Sequence, residues 1–330
     1  MSNISIIGAG SWGTALAQML ANGGHNVLIW ARSAEITARE INESHSNESY
    51  LPGIKLHENI SATSDLQDVT RNKIILCVTP AQIMDNMLEQ ISGRLTPEHA
   101  LIICSKGIEL ETGRLLPEVA REIAPNSTIA LLSGPNFAKE IALGQPAATT
   151  LACADPIKAE ELQAALHSRV FRIYTSTDII GASICGAVKN VIAIGCGIAK
   201  GLGYGESTRA ALITRGLAEI SRLSEALGGQ KETSMGLCGI GDLMMTCSSE
   251  QSRNFSFGLA LGRGERAKTL LENSKNVTEG VYTAAAVYDL ALRHNVEMPL
   301  SQAVHNCVNN GEPLDDVVAS LLNRPQSHEQ

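Results

Sequence analysis

The chain has 330 residues, which is enough for about two domains and a sizeable hydrophobic core. It carries 26 Lys and Arg residues against 34 Asp and Glu residues, so its formal net charge is −8, and only 3% of its residues are aromatic. This balance argues against nucleic acid as the main partner, because a phosphate backbone needs a basic surface and base stacking needs aromatic side chains.

The cysteines and the first residues indicate a compartment. None of the eight cysteines forms a Cys-x-x-Cys pair, which predicts buried, reduced thiols and neither a disulfide framework nor a metal site. Met1, Ser2 and Asn3 lead directly into an apolar run without the pattern of a signal peptide, and no uninterrupted apolar stretch reaches the ~20 residues of a membrane span. We therefore expect a cytoplasmic protein with no membrane span.

Short apolar runs alternate with amphipathic stretches along the first part of the chain. Such runs, nearly continuous in apolar residues, are typical of strands buried on both faces of a parallel sheet. The predicted strands are residues 4–7, 27–30, 74–78, 101–104, 129–132 and 147–153. With amphipathic stretches such as 11–21 and 81–91 between them, they predict βαβ units and a doubly wound, mostly parallel sheet in an α/β protein.

After Asp178 the strand patterns stop and helical patterns follow, separated by glycines and prolines. The predicted helices are residues 181–199, 207–227, 253–262, 279–295, 300–309 and 314–322. The sequence thus predicts a sheet domain over residues 1–178 and an all-helical domain over residues 179–330.

Residues 8–13 read GAGSWG, which is the pattern Gly-x-Gly-x-x-Gly. The motif directly follows a predicted strand and opens an amphipathic helix, and this setting favours a dinucleotide-binding turn of the Rossmann type over a glycine-rich turn with no ligand. Gly8 permits the tight turn, Gly10 lets the backbone approach a pyrophosphate, and Gly13 lets helix and strand pack closely. The N-terminus of the helix that starts at Ser11 then supplies free N–H groups and a positive end that favours phosphates.

The second predicted strand ends near Arg32 and Ser33, where an NAD-selective site usually has an acidic residue for the ribose 2′-hydroxyl. A guanidinium offers a fork of donors to a 2′-phosphate instead. We therefore expect NADPH to be preferred and NADH to be possible, although a surface arginine without a ligand is the plainer alternative.

Several charges and polar turns stand at positions suited to a ligand. Lys106 and the turn that contains Gly134 and Asn136 follow predicted strands, and ligands of α/β sheets bind beyond the carboxyl ends of strands. Lys189 is the only charge in residues 183–199, with Asn190 beside it. Because burying an unpaired ammonium is costly, Lys189 either faces a cleft as a general acid or base or extends to solvent from a buried helix.

Asp242 is the only charge in residues 235–247. Its carboxylate therefore needs a cationic partner, and Lys189 or Lys106 is the candidate. The alternative is that Asp242 merely caps a helix. Ser252, Arg253 and Asn254 open the next predicted helix and form either a cradle for a small phosphate or carboxylate or a simple cap. Together these residues predict a dehydrogenase acting on a small anionic substrate that carries a carbonyl or hydroxyl group.

The motifs also match a known family. The chain closely resembles the bacterial NAD(P)-dependent sn-glycerol-3-phosphate dehydrogenases, and the matching blocks run in family order to about residue 300. The blocks are GAGSWGTA (8–15), Lys106-Gly107, ETGRLL (111–116), SGPNFAKE (133–140), GAVKNVIAIG (186–195), ALITRGLAE (211–219), GIGDL (239–243), QSRN (251–254) and Glu279-Gly280.

The resemblance implies reversible reduction of dihydroxyacetone phosphate to sn-glycerol 3-phosphate, which supplies the glycerol backbone of phospholipids, and it implies a homodimer. It makes Lys189 the proton donor and acceptor, assisted by Lys106, Asp242 and Asn190. Substrate contacts would come from Lys106, Gly134, Asn136, Lys189, Asp242, Ser252, Arg253 and Asn254. Cofactor contacts would come from Gly8, Gly10, Ser11, Trp12, Gly13, Arg32, Lys106, Ala138, Arg253, Val277 and Glu279.

This sequence departs from the family pattern at three positions. Asn136 stands where Ser or Thr is more common, Ser105 replaces a common Thr, and Thr278 stands where an apolar residue is usual. No departure removes a charge that the chemistry needs. Two other readings stay open: a β-hydroxyacid-type or ketopantoate-type reductase of similar build, and a redox-sensing module that binds NADPH without turnover and would not need both Lys189 and Asp242.

Overall fold

A computed structural model describes residues 2–273 and 278–325. The chain divides into two compact units, the first comprising the residues up to Lys106 together with Arg114–Ser183, and the second comprising Gly107–Gly113 together with the residues from Ile184 onward. The chain therefore passes from one unit to the other after Lys106, after Gly113 and after Ser183. The sequence limits of 1–178 and 179–330 remain a prediction.

The first unit contains an eight-stranded sheet in the order β3-β2-β1-β4-β5-β6-β7-β8. Neighbouring strands are parallel except β6 and β7, which run antiparallel. The strands are β1 (Asn3–Ile7), β2 (Asn26–Trp30), β3 (Ile60–Thr63), β4 (Ile74–Cys77), β5 (Ala100–Ile103), β6 (Thr128–Ser133), β7 (Ala147–Cys153) and β8 (Phe171–Ser176). This arrangement confirms the predicted doubly wound α/β sheet, and the order of its first six strands is that of dinucleotide-binding folds.

Continuous apolar sequence forms the central strands because both of their faces are covered. All four residues of β5 are buried, as are the last four residues of β1. The sequence prediction missed β3 and β8, the two strands at the edges of the sheet. Only one of the four residues of β3 and two of the six residues of β8 are buried, and their sequences, ISAT and FRIYTS, contain no continuous apolar run.

Helices of the first unit flank this sheet. The amphipathic helix α1 buries Ala15, Leu16, Met19 and Leu20 in the core that also contains Ile4 and Ile6 of β1. The helices are α1 (Ser11–Asn22), α2 (Arg39–Ser44), α3 (Met84–Ser92), α4 (Leu116–Ile123), α5 (Ala138–Ala142) and α6 (Pro156–Ala165).

The described part of the second unit is helical, as predicted. Its helices are α7 (Ile179–Gly201, which begins in the first unit), α8 (Glu206–Ala226), α9 (Asp242–Ser248), α10 (Arg253–Gly262), α11 (Ala267–Asn273), α12 (Glu279–Arg293), α13 (Pro299–His305) and α14 (Leu314–Leu322). The short helices α9 and α11 were not predicted, and the predicted helix 300–309 instead ends as α13 at His305, before a π-helical turn at Asn306–Asn310.

Helices α7 and α10 touch along their backbones. A Cβ on Gly197 of α7 would overlap the carbonyl oxygen of Phe255, and a Cβ on Gly258 of α10 would overlap the carbonyl oxygen of Ile194. Glycine at both positions is therefore required by the close approach. The contact fixes the helix that carries Lys189 against the helix that begins at Arg253.

The most apolar helix and most of the cysteines lie inside the fold. Among the described residues, α7 is the helix long and apolar enough to cross a membrane, but 89% of its most apolar 18-residue window is buried inside the fold, as in a core helix. All eight cysteines are free thiols in this structure, and the burial of seven of them confirms that most of these residues are buried, as predicted.

Candidate active site

The glycine motif forms a tight turn between β1 and α1. Gly8 has a φ angle of +117°, and a Cβ at this position would lie 2.7 Å from the carbonyl oxygen of Val78, at the end of β4. A Cβ on Gly13 would overlap the carbonyl oxygen of Gly8. Both glycines are therefore required by the fold itself, in the roles that the sequence assigned to them.

Gly10 differs from these two glycines, because a Cβ there would meet no protein atom within 4 Å. Gly10 is the N-cap of α1, and the first turn of this helix contains no acidic residue that would oppose its positive end. The open space beside Gly10 is the feature that close approach of a pyrophosphate requires. The residues present thus fit the phosphates of a dinucleotide.

The next two residues of the turn are oriented by the surrounding unit. The hydroxyl of Ser11 donates a 2.6 Å hydrogen bond to the carbonyl oxygen of Tyr50, and Trp12 is partly buried against the hydrophobic core. Their backbone N–H groups belong to the first turn of α1, where no intrahelical acceptor precedes them.

Arg32 follows β2 and is exposed, and among the described residues it has no hydrogen-bonding or ion-pair partner. Ser33 caps the π-helical turn Ala34–Ala38, because its hydroxyl accepts a 3.3 Å hydrogen bond from the N–H of Ile36. Glu35 lies in the same turn and is exposed. The Arg32 guanidinium therefore retains its donors for a ligand.

Lys106 follows β5 and is held by the backbone of the turn after β6. Its Nζ donates a 3.3 Å hydrogen bond to the carbonyl oxygen of Gly134. Before it, the buried hydroxyl of Ser105 donates a 2.5 Å hydrogen bond to the carbonyl oxygen of Thr79, after β4. The structure therefore brings together Lys106 and Gly134, which the sequence placed in one site, and Lys106 is not a fully solvated loop residue.

Asn136 is attached to the sheet. Its Nδ2 donates hydrogen bonds to the carbonyl oxygens of Pro135 (2.8 Å) and Ala148 (3.1 Å), whereas its buried Oδ1 finds no partner among the described residues. The NH2 group of Asn136 therefore bonds to the protein backbone, whereas its carbonyl oxygen remains available to accept a hydrogen bond. Ala138, the first residue of α5, packs against the hydrophobic core.

The second unit contains a buried group of three polar side chains on α7 and α9. Lys189 is 6% exposed, and its Nζ lies 2.6 Å from Oδ1 of Asp242 and 2.7 Å from the hydroxyl oxygen of Thr246. Asp242 is fully buried. The lysine therefore does not extend to solvent, and its partner is the first of the two that the sequence suggested for Asp242.

The local sequence explains this arrangement. Asp242 is the first residue of α9, after the N-cap Gly241, so its carboxylate lies at the positive end of the helix and is not itself the cap. Thr246 is four residues further along, on the same face of the helix, and its hydroxyl lies 3.3 Å from Oδ1 of Asp242. Sequence reasoning missed Thr246 because it had not predicted α9, whose i, i+4 spacing was the available signal.

The predicted anion cradle begins α10. The hydroxyl of Ser252 accepts a 3.3 Å hydrogen bond from the N–H of Phe255 and so caps the helix, which is the simpler of the two roles foreseen. Arg253 is exposed, whereas Asn254 is buried and its Oδ1 accepts a 3.0 Å hydrogen bond from the N–H of Gly280. The cradle is thus joined to the start of α12.

Glu279 is the first residue of α12 and is half-buried, after the buried Thr278. Asn190, beside Lys189, is 6% exposed. Val277, which the sequence assigned to the cofactor, lies outside the described residues. Within the described ranges, no group of three His, Cys, Asp or Glu side chains has the arrangement to hold a metal ion.

Comparison with known proteins identifies the family. Residues 3–159 match the family model of the NAD-dependent glycerol-3-phosphate dehydrogenase N-terminus, and residues 178–319 match that of its C-terminus. The chain belongs to the NAD-dependent glycerol-3-phosphate dehydrogenase family. This agrees with the resemblance inferred from the sequence motifs.

Whole-length relatives support the same family. A glycerol-3-phosphate dehydrogenase [NAD(P)+] of Erythrobacter litoralis is 51% identical over 326 residues, covering 98% of this chain and 97% of the relative. One from Parvibaculum lavamentivorans is 48% identical over 322 residues, covering 98% and 96%. The crystal structure of a glycerol-3-phosphate dehydrogenase from Coxiella burnetii matches with a TM-score of 0.93 and 38% identity, over 98% of this chain and 99% of that one.

The rival reductase of the sequence analysis shares the architecture. A ketopantoate reductase from Ralstonia eutropha matches with a TM-score of 0.61 but only 15% identity, covering 96% of this chain and 99% of that one. That likeness shows a common fold alone. It does not compete with the family assignment, which rests on far higher sequence identity across the full length.

Proposed function

We propose that this chain catalyses the reversible reduction of dihydroxyacetone phosphate to sn-glycerol 3-phosphate, with NADPH preferred over NADH. The observation that carries the proposal is the buried Lys189–Asp242 pair in a member of the glycerol-3-phosphate dehydrogenase family. The product would supply the glycerol backbone of phospholipids. The curated relatives are named for this dehydrogenase activity with NAD(P)+.

A nicotinamide cofactor, when bound, supplies the hydride for the carbonyl carbon. The turn of Gly8, Gly10 and Gly13 would hold its pyrophosphate, with Ser11 and Trp12 at the helix start. Arg32 would bind the 2′-phosphate that distinguishes NADPH, because its exposed guanidinium has its donors available. Lys106, Ala138, Arg253, Val277 and Glu279 are the remaining residues that we assign to the cofactor.

Lys189 is the residue that we assign to proton transfer. As negative charge grows on the substrate oxygen, an ammonium at Nζ stabilises that oxygen and then donates its proton to it. Asp242 and Thr246 hold Nζ in place by contacts of 2.6 and 2.7 Å. Asn190 and Lys106 assist as further polar groups in the catalytic set.

Ser252, Arg253 and Asn254 would bind the substrate phosphate at the start of α10, and Gly134 and Asn136 complete the substrate set with Lys106, Lys189 and Asp242. Support comes from the helix start, whose positive end favours an anion, and from the exposed side chain of Arg253. Phosphate suits this cradle better than carboxylate, because it accepts more hydrogen bonds.

Further features of the protein follow from the same family. We infer that it works in the cytoplasm, which the eight free thiols support, and that it forms a homodimer. Light scattering on the eluting peak of a size-exclusion column tests the second inference: a mass near 35.0 kDa would contradict it, and about twice that mass would support it.

The decisive experiment follows NADPH absorbance as dihydroxyacetone phosphate is added to purified protein, with NADH in a parallel cuvette and ketopantoate as the competing substrate. We expect rapid oxidation of NADPH with dihydroxyacetone phosphate and little with ketopantoate. Lys189→Ala is expected to bind NADPH but lose turnover. Absence of oxidation with either cofactor, despite NADPH binding, would overturn the substrate assignment and favour a sensing role.

A further inference from the structure

Three helices of the second unit meet at Gly280. The N–H of Gly280 in α12 donates a 3.0 Å hydrogen bond to Oδ1 of Asn254 in α10. A Cβ on Gly280 would lie 2.7 Å from that same oxygen and 2.7 Å from the carbonyl oxygen of Asn190 in α7. The start of α12 therefore touches α7 and α10 so closely that no side chain fits at position 280.

The three residues of this junction are each the direct neighbour of a residue assigned to the site. Asn190 follows Lys189, Asn254 follows Arg253, and Gly280 follows Glu279. All three junction residues are buried, whereas Arg253 is exposed and Glu279 half-buried. Because adjacent helical residues share one rigid backbone, fixing the junction fixes where the neighbouring functional side chains begin.

The side-chain amide of Asn254 can serve two roles at once. A side-chain amide has one carbonyl acceptor and an NH2 group with two donors. The carbonyl oxygen accepts the hydrogen bond of the Gly280 N–H, whereas a substrate phosphate would accept hydrogen bonds from the NH2 group, so the two roles use different atoms of one side chain. A residue that only bound phosphate would not need this buried contact with α12.

We propose that Asn254 and Gly280 are positioning residues: their contact locks the start of α12 onto α10 and so sets Arg253 and Glu279 in the geometry that binding and turnover require. The proposal rests on the proposed function for the roles of Arg253 and Glu279. It leaves the NH2 group of Asn254 to the substrate phosphate and adds a positioning role for the carbonyl group of the same side chain.

The variants Asn254→Ala, Asn254→Asp and Gly280→Ala separate the two roles. Asn254→Ala removes the acceptor, and Gly280→Ala forces the helices apart while every side chain assigned to the site remains. Asn254→Asp keeps an acceptor for the N–H of Gly280 but replaces the NH2 group with an oxygen that repels a phosphate. The double variant Asn254→Ala with Gly280→Ala measures whether the two residues act as one unit.

Two matched controls lie in the same unit. Asn309→Ala removes an asparagine that donates a 3.3 Å hydrogen bond to the carbonyl oxygen of Val281, the next residue of α12. Gly195→Ala adds a Cβ to α7 where it would meet only the Cγ2 atom of Val304, at 3.3 Å. Both controls resemble the test variants chemically but leave the Asn254–Gly280 contact intact.

Three quantities are measured for each protein: kcat and KM with dihydroxyacetone phosphate, the same constants with unphosphorylated dihydroxyacetone, and the Kd of NADPH by calorimetry. We expect Asn254→Ala and Gly280→Ala each to lower kcat/KM about 10- to 100-fold with both substrates, since small misplacements cost that much. Both should weaken NADPH binding several-fold, and the double variant should be no worse than either single one. Asn254→Asp should keep the wild-type NADPH Kd, and both controls should stay close to wild type.

Two results would overturn the proposal that Asn254 and Gly280 position the site. In the first, Asn254→Ala loses activity with dihydroxyacetone phosphate alone while Gly280→Ala behaves as wild type, which makes Asn254 a phosphate ligand without a positioning role. In the second, Asn254→Ala and Gly280→Ala both bind NADPH with the wild-type Kd. If Gly280→Ala does not fold, the comparison of Asn254→Ala with Asn254→Asp still decides. If the wild type reduces neither substrate, the proposed function fails. NADPH calorimetry on the variants then still tests whether the Asn254–Gly280 contact positions the binding residues.

Discussion

The Nζ atom of Lys189 lies 2.6 Å from Oδ1 of Asp242, and the side chains of both residues are almost fully removed from solvent. Each charge is acceptable in this interior because of the other, since an unpaired buried charge is far more costly than an exposed one. The pair joins α7 to α9 and at the same time holds the group that we assign to proton transfer. On the proposed function, this one contact serves both the stability of the fold and catalysis.

Removing one partner of the pair should destabilise the fold more than removing both. We expect Asp242→Leu or Lys189→Met to lower the free energy of unfolding by about 3–5 kcal/mol, because each leaves a buried charge alone. The double variant should recover most of that loss. Urea unfolding of the four proteins measures the coupling. The exposed pair Lys158–Glu161, with a contact of 2.7 Å, is the control and should couple by about 1 kcal/mol or less. Additive losses at Lys189 and Asp242 would contradict the expectation.

Thr246 offers a second, uncharged contact to Lys189, at 2.7 Å. Thr246→Val replaces the hydroxyl with a methyl group of similar size, so the ammonium loses an acceptor while the packing is kept. We expect kcat to fall about tenfold, equivalent to ~1.4 kcal/mol of barrier, with little change in the NADPH Kd. Thr246→Ser should restore the rate. Steady-state kinetics with NADPH calorimetry provides the check, and an unchanged kcat in Thr246→Val would remove Thr246 from the site.

Arg32 is the residue on which the predicted choice of cofactor depends. Arg32→Ala should lower kcat/KM with NADPH about 10- to 100-fold, because charge-assisted hydrogen bonds to a phosphate are worth about 1.5–3 kcal/mol, and it should leave kcat/KM with NADH nearly unchanged. Glu35→Gln, at an exposed neighbour of opposite charge, is the matched control and should not weaken NADPH. Equal losses with the two cofactors would show that Arg32 does not read the 2′-phosphate.

The parts of this molecule that local chemistry specifies could be predicted from sequence. The buried central strands, the turn of Gly8 and Gly13 and the long apolar helix α7 each follow from a pattern within one segment. The edge strands β3 and β8 could not, because most of their residues are exposed or only partly buried and the continuous apolar pattern is lost.

In the candidate site, the isolated charges of Lys189 and Asp242 were visible as exceptions in apolar segments. Their pairing needs contact between residues 53 positions apart, and Lys106 was as good a candidate partner for Asp242 as Lys189 until the fold was known. Thr246 and the Asn254–Gly280 contact were not foreseen, because threonine, asparagine and glycine do not stand out in a sequence unless the packing of helices is known.

Glu219 gives a prediction for the pH dependence of stability. It is 1% exposed, and its carboxylate accepts hydrogen bonds from the N–H of Leu300 (2.6 Å) and from the N–H (3.0 Å) and hydroxyl (2.8 Å) of Ser301, which hold the start of α13. Burial raises the pKa of Glu219 above its ordinary value, and this effect outweighs the opposite effect of the three hydrogen bonds and of the nearby Arg222.

A pKa that is higher in the folded than in the unfolded state means that the folded protein binds the extra proton more tightly. The stabilisation that Glu219 contributes to the free energy of unfolding is then fully present below its pKa in the unfolded state, about 4.3. It is lost as the pH rises through the raised pKa of the folded state. The wild-type free energy of unfolding, minus that of Glu219→Gln, should therefore fall by up to about 1.4 kcal/mol per pH unit across this interval and become constant above it. Urea unfolding of both proteins at several pH values measures this difference in free energy. Glu297→Gln, at an exposed carboxylate paired with Arg324, is the control. A difference that rises with pH would show that hydrogen bonding, and not burial, dominates at Glu219.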